Sequence, residues 1–449
     1  MSQEQQEKVV FVGTIASSSA LDQLNVFKGF ISVENGKITK IGSTAEYNSR
    51  ETSNELSGYK KVILHQNQLL IPGFVDCHTH APQFPNIGLG LDRPLLEWLD
   101  KYTFPLESKY VDVNFAKKIY EQVVQRLIKN GTTTACYFGT LHLEGTLQLV
   151  ECIIKYGQRA LVGKVSMNVK NDANYYNETE NELNEVETFI QKVMGCKNNL
   201  VAPVVTPRFA VSCDETLMKG LSEIADKYNC RIQSHISENR KEVEYVLSTN
   251  PDCRNYSEVY DKHYILNNKC IMAHAIYLDE DEISLFATKG VSIAHCPASN
   301  TRLKSGLCPV RKLLNNHITV GLGTDVSGGD SATILDAMRR TMDVSTHLEL
   351  LENMGPALNF KEVFYLATLG GAKALRLDDK IGSFEIGKEF DALIVDVYTN
   401  GGQIDQYEYS MDENEEHYLL DLLQRFIYLG DDRNIRQVYV KGRKVKDLS

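Results

Sequence analysis

Pro72-Gly73-Phe74-Val75-Asp76-Cys77-His78-Thr79-His80 decides how this chain is read. The apolar run Leu69-Leu70-Ile71 leads into it, and a Pro-Gly pair breaks that run. A short segment of aromatic and β-branched residues then ends in two histidines. Along a strand, residues two apart share a face. The spacing therefore predicts that His78 and His80 project together from the C-terminal end of a buried strand. Two imidazoles on one face are half of a zinc site, or else a pair of satisfied structural histidines. What decides between these is whether the rest of the chain supplies the missing ligands.

Outward from that stretch, short apolar segments alternate with amphipathic ones. Strands are expected to end at His80, Phe138, Val165, Thr206, Ser237, Ala275, His295 and Asp325. Helices are expected near 111–129, 214–229 and 280–289, with two more near 331–351 and 360–375. Eight strand–helix units with continuous apolar strands predict a closed parallel (β/α)8 barrel, TIM-like, over residues 73–375. An open doubly wound sheet is the alternative, but no G-x-G-x-x-G follows the first strand. Residues 1–72 and 376–449 read as β at both ends. Asn35-Gly36 marks a hairpin, and Lys441-Gly442 looks like another. The two ends are expected to pack together as one small, discontinuous β domain. Residues 400–417, polar and acidic, read as a loop.

Composition narrows the function classes. The chain has 449 residues, 43% of them hydrophobic, enough for one large domain and one small one. Its net charge of −11 and its lack of any basic run exclude a nucleic-acid polymer as partner. Ten cysteines with no C-x-x-C pair suit free thiols in a reducing compartment. The polar N-terminus is neither a signal nor a transit peptide. No apolar run reaches the roughly 20 residues that span a bilayer. These features predict a soluble cytoplasmic protein.

In a barrel, residues at the C-terminal strand ends converge on one mouth. Arg231-Ile232-Gln233-Ser234-His235 places His235 there, and Glu238 lies just beyond. Met272-Ala273-His274 places His274, and Thr319-Val320-Gly321-Leu322-Gly323-Thr324-Asp325 places Asp325. His78, His80, His235 and Asp325 are the predicted zinc ligands, leaving a position for water. A bound metal lowers the pKa of its water from 15.7 to about 7. Glu238 is positioned to take the proton of that water and pass it on. His274 is either a fourth imidazole ligand or a group that polarises the resulting hydroxide. The second is preferred because Asp325 completes the ligand set. His295 is expected to organise its loop. Lys164 raises the alternative of a carbamylated lysine bridging two metals, although no extra ligand set accompanies it.

The HxH motif, His235, His274 and Thr324-Asp325 together resemble the amidohydrolase superfamily. So does Gly387-Lys388-Glu389-Phe390-Asp391-Ala392-Leu393-Ile394-Val395 near the C-terminal end, and the resemblance covers nearly the whole chain. It implies a metal-dependent hydrolase on a distorted (β/α)8 barrel with a small β-sandwich. Narrower motifs resemble the guanine deaminases of that superfamily: His80-Ala81-Pro82-Gln83-Phe84, Leu95-Leu96-Glu97-Trp98-Leu99, Pro207-Arg208-Phe209 and Ser234-His235-Ile236-Ser237-Glu238-Asn239. They imply hydrolysis of guanine to xanthine and ammonia by attack of a zinc-bound hydroxide at C2, one zinc per subunit, and a homodimer. Guanine offers O6 and N7 as adjacent acceptors, which suit a guanidinium fork. Arg208 is thus a candidate reader of that edge, or an exposed salt-bridge arginine. Gln83 can pair with a purine edge. Phe209 and Trp98 are expected to sandwich the base, although Trp98, the chain's only tryptophan, equally suits the core. Glu238 and His274 would touch the substrate as well as the reacting water. Asp325 would accept a hydrogen bond from the hydroxide, and His274 would stabilise the developing alkoxide. A superfamily relative acting on cytosine, an adenosine derivative or a triazine is the alternative. A ligand-deficient scaffold of the same fold is disfavoured because every ligand is present.

Overall fold

The structure, a computed structural model, describes residues 8–407 and 415–448. Strands β1 (Lys8–Ala20), β2 (Gln23–Glu34) and β3 (Lys37–Ser43) form an antiparallel meander. Asn35 and Gly36 join β2 to β3 with φ of 54° and 75°. Two successive positive φ values are what a two-residue hairpin turn of matching twist requires. Strands β4 (Lys60–Ile63) and β5 (Gln68–Pro72) pair in parallel with β1. β1 extends well past the apolar residues 9–12, because its Ser-rich second half stays in register with β2 as far as Ser18↔Leu24.

The barrel strands follow: β6 (Phe74–His80), β7 (Thr132–Phe138), β8 (Arg159–Gly163), β9 (Val165–Ser166), β10 (Val201–Pro207), β11 (Arg231–Ile236), β12 (Cys270–His274), β13 (Ser292–His295) and β14 (Val320–Leu322). They line up as β6-β7-β8-β10-β11-β12-β13-β14, with β9 continuing the third strand past Lys164 and pairing with β10. Every position of β6 and β7 is buried, as expected when helices cover a parallel sheet. The two ends of the series meet at the mouth. There Asp325 N–H donates to the His78 carbonyl at 2.9 Å, and His80 N–H donates to the Val326 carbonyl at 3.0 Å. This is the nearly closed (β/α)8 arrangement that the strand–helix alternation predicts. Inside it, Gln233 bonds the Tyr137 carbonyl and the Thr206 hydroxyl, each at 3.0 Å. Two residues on and on the same face, His235 therefore sits one layer nearer the mouth.

The terminal strands form one hydrogen-bonded sheet. With β15 (Ala392–Asp396), β16 (Ile435–Val440) and β17 (Arg443–Asp447), its order is β17-β16-β15-β5-β1-β2-β3, and β4 pairs with β1. Phe11 on β1 and Tyr439 on β16 lie three strands apart, about 14 Å along a flat sheet. Their ring centroids are nevertheless 5.1 Å apart. The sheet therefore curls over itself and closes a sandwich-like core around Phe11, Ile31, Leu70 and Phe390.

By contacts, one compact unit comprises residues 1–75, 127–133 and 359–449, and the other 76–126 and 134–358. The sequence suggested borders at 72/73 and 375/376. Residues 359–375 group with the terminal sheet because helix Phe360–Tyr365 packs on β1, β2 and helix Glu415–Leu429. That last helix starts inside the stretch read as a loop, of which residues 408–414 lie outside the described residues. Among the described residues, no helix is long and apolar enough to cross a membrane.

Candidate metal centre

Alternation along β6 turns Asp76, His78 and His80 to one side. Asp76 anchors the group: it accepts from His78 N–H at 3.2 Å, from Thr324 N–H at 3.0 Å and from the Thr324 hydroxyl at 2.6 Å. One buried carboxylate thus fastens the first strand to the segment that carries Asp325. Burial raises its pKa to about 6 against those bonds.

Four side-chain donors then converge. His80 Nε2 lies 3.2 Å from His78 Nε2 and 3.1 Å from His235 Nε2. Asp325 Oδ1 lies 3.2 Å from His78 Nε2 and 3.4 Å from His80 Nε2. Bond lengths of about 2.0–2.1 Å to a tetrahedral zinc imply ligand-to-ligand edges of about 3.4 Å. The four spacings just given are close to that figure. The donor chemistry fits as well. His235 Nδ1 donates to the Arg208 carbonyl at 2.6 Å, which leaves the lone pair on the converging Nε2. Burial first, and neighbouring imidazoles second, push the pKa values of His80 and His235 far down, so both rings stay neutral. Burial raises Asp325, but the His78 hydrogen bond and the surrounding imidazoles outweigh it and hold the carboxyl at about 2. Neutral imidazoles and an ionised carboxylate are the forms that bind metal. Phe138 backs the cluster, its ring 4.7, 4.5 and 4.8 Å from those of His78, His80 and His235.

His274 and Glu238 stand beside the four donors. His274 Nδ1 meets Asn300 Oδ1 at 2.8 Å. Its Nε2 lies 3.4 Å from Glu238 Oε2 and 3.8 Å from Asp325 Oδ2. Both His274 and Asp325 take left-handed backbone, with φ of 74° and 45°, a strained conformation that clusters at functional sites. Glu238 receives a bond from the Ser305 hydroxyl at 3.3 Å. Burial, then the charge of Asp325, pushes its pKa well above the usual carboxylate range. Its backbone is held by Glu242, which accepts from Glu238 N–H at 2.9 Å and Asn239 N–H at 3.0 Å.

Gln83, Trp98, Arg208, Phe209, Glu238 and His274 all line one cleft, together with His80, His235 and Asp325. His78 lies behind this lining. Leu95, Leu99, Leu303 and Gly328 complete the wall. Trp98 is buried, and its indole N–H is spent on the Leu89 carbonyl at 3.1 Å.

Arg208 is a buried ion-pair arginine, and its partner escaped the sequence reading. Nη1 donates to Glu107 Oε2 at 2.8 Å, Nη2 donates to Glu107 Oε1 at 3.2 Å, and the guanidinium lies 5.1 Å over the Phe104 ring. Glu107 sits on a four-residue helical turn between irregular turns, so no periodicity flags it. An acid among apolar neighbours, Phe104-Pro105-Leu106, was the only signal.

Two other residues fall outside the cluster. Lys164 makes a buried ion pair with Glu182 at 2.6 Å and reaches Glu185 at 3.2 Å. His295 is buried with neither ring nitrogen hydrogen-bonded, and burial lowers its pKa to about 3. Whatever order it gives its loop comes from packing.

The profile of the Amidohydrolase family matches residues 69–445. Guanine deaminase of Rattus norvegicus is 48% identical over 389 residues, 86% of this chain and 85% of that protein. Guanine deaminase of Homo sapiens is 47% identical over the same shares. The crystal structure of guanine deaminase from C. acetobutylicum, with guanine bound in its active site, superposes with a TM-score of 0.89 at 37% identity. That match covers 98% of this chain and 100% of the other.

Proposed function

The chain belongs to the amidohydrolase family, among its guanine deaminases, and we propose that its cleft hydrolyses guanine to xanthine and ammonia with one zinc ion per chain. The observation that carries this reading is a single cleft lined by imidazole and carboxylate donors, a buried carboxyl, and a buried arginine and glutamine. His78, His80 and His235 through Nε2, and Asp325 through a carboxylate oxygen, would hold the ion. Zinc there supplies Lewis acidity, bringing water's proton release into the neutral range.

The chain's own groups do the rest. Water oxygen adds at C2, and the bond from C2 to the exocyclic nitrogen breaks. Of water's two protons, one ends on ring nitrogen N3 and the other leaves with ammonia. Glu238 takes and delivers these protons. Its raised pKa suits a group that must be an acid as well as a base near neutral pH. His274, oriented by Asn300, faces Glu238 and the second Asp325 oxygen and stabilises charge that develops on the former water oxygen. Arg208 and Gln83 face the oxygen-bearing edge of the base, and Phe209 and Trp98 flank its plane.

Family resemblance further implies a homodimer, which sedimentation would test. The ten free cysteines, all but Cys196 and Cys253 buried, support a reducing, cytoplasmic location. The test of the activity is ammonia release from guanine by the purified zinc-loaded protein, beside cytosine, adenosine and a triazine. Guanine is expected to be hydrolysed best, and a stronger rate on any of the others overturns the reading.

A further inference from the structure

We propose that Glu107 determines which edge of a base the cleft accepts, acting as a positioning residue through Arg208 and Gln83. The inference rests on the guanine-hydrolysing reading above and goes beyond it in assigning the source of selectivity.

Glu107 is completely buried and collects three hydrogen bonds. Arg208 Nη1 lies 2.8 Å from Oε2, Arg208 Nη2 lies 3.2 Å from Oε1, and Gln83 Nε2 lies 3.0 Å from the same Oε1. Facing a guanidinium, which keeps its proton, Glu107 is an acceptor only. That has two consequences. First, a glutamine amide has nearly the same shape either way round, but here its direction is set. Glu107 demands the amide nitrogen on its side, and Ser327 N–H, 3.3 Å from Gln83 Oε1, demands the oxygen on the other. Second, the guanidinium is held along one edge by the carboxylate and on one face by Phe104. What remains for a ligand is the unspent N–H groups of Arg208 and the second N–H of Gln83. Arginine offers no acceptor at all.

A wall of oriented donors complements an edge of adjacent acceptors, the O6/N7 edge of a 6-oxopurine. A 6-amino group there sets donor against donor, and a site built for one polarity rejects the other strongly. A buried ion pair is weak evidence for stability in itself. The network instead has the form of a device that fixes donor polarity at the ligand.

The test compares guanine with 2,6-diaminopurine, which keeps the 2-amino leaving group but carries an amino donor in place of O6. Glu107→Gln has the same shape but adds donors, so it no longer dictates the orientation of its neighbours. In the zinc-loaded protein, Glu107→Gln should lower kcat/KM for guanine by about 10- to 100-fold, chiefly through KM. The preference for guanine over 2,6-diaminopurine should shrink by at least about tenfold. In an Arg208→Met background the same substitution should cost less, because one of its two routes of action is gone and only that through Gln83 remains. Glu107→Asp stays acceptor-only, so it should keep most of the preference even where activity falls. It serves as the decisive variant if Glu107→Gln fails to fold by circular dichroism. An equal loss on both bases, a full additional loss in the Arg208→Met background, or an Asp variant with no preference would each overturn the inference. A wild-type protein inactive on guanine would overturn the underlying reading, and this inference with it. A wild type active on guanine whose variants keep its preference overturns the inference alone.

Discussion

Substitution at Glu238 and at His235 should separate proton transfer from metal retention, because the two side chains share one cleft but are proposed to do different jobs. Glu238 reaches His274 and Ser305 but is absent from the four converging donors. Glu238→Gln keeps the size of the side chain and removes its titration. It should retain zinc and guanine binding while losing at least about 10²–10⁴-fold in turnover. His235→Ala removes one of three converging imidazoles and should lose the metal together with activity. Steady-state ammonia release beside elemental zinc content checks both, and near-normal turnover in Glu238→Gln would move the proton shuttle to His274. Arg208→Lys is a different case. It keeps the charge but cannot span both oxygens of Glu107 or present a fork to the base. Its loss should be about 1–3 kcal/mol in kcat/KM, and an Arg208→Lys protein as efficient as wild type would remove Arg208 from base recognition. At this scale, His78, His80, His235 and Asp325 were legible because each ends or follows a short apolar run at fixed spacing. The pairing of Arg208 with Glu107 was not legible, since the two are 101 residues apart and an ion pair leaves no local pattern.

Elements position these residues, and the turn from β11 into helix Arg240–Thr249 shows how. Asn239 and Glu242 form a capping box at the helix start, a motif readable from Asn239-Arg240-Lys241-Glu242. Its burial is not readable. Glu242 also accepts from the Tyr256 hydroxyl at 2.9 Å. Burial, then the charge of Glu238, raises its pKa from 4.5 to about 7. The folded pKa lies above the unfolded one, so the contribution to stability is complete below about 4.5 and is lost as pH rises through about 7. The shift corresponds to an effect on the order of 3 kcal/mol. Glu242→Gln should therefore flatten the fall in stability between pH 5 and pH 8 relative to wild type. Denaturant midpoints across that range measure it, and parallel curves would show that Glu242 does not titrate there. The strand ends of the barrel were legible for the opposite reason: parallel strands covered on both sides are continuous apolar runs. Helix Glu415–Leu429 went unread because its start carries the acidic composition of the stretch before it.

For the whole molecule, the proposed ligand set would make a bound metal a cross-link between distant parts of the sequence. His80 and His235 are 155 residues apart, and Asp325 follows the last barrel strand. The unfolded chain cannot hold these donors at spacings of 3.1–3.4 Å, so zinc held by them would bind the folded state alone and its binding energy would add to folding. At a free-ion concentration 1,000 times Kd the linkage amounts to about 4 kcal/mol. Stripping the metal with a chelator at neutral pH should lower the melting temperature, and one equivalent of zinc per chain should restore it. His235→Ala should melt at one temperature with or without the chelator. The effect should also depend on pH in a defined direction. Burial holds the pKa values of His78, His80 and His235 below 6.5. The neutral rings therefore contribute fully above that value, and the contribution is lost as pH falls through their folded pKa values. Protons also compete with zinc for the same nitrogens, so the gap between loaded and stripped protein should close on acidification. Elemental analysis supplies the stoichiometry: two equivalents per chain would replace the one-zinc reading with a paired site. Stripped and loaded proteins that melt alike at neutral pH would mean that the four donors do not hold the ion.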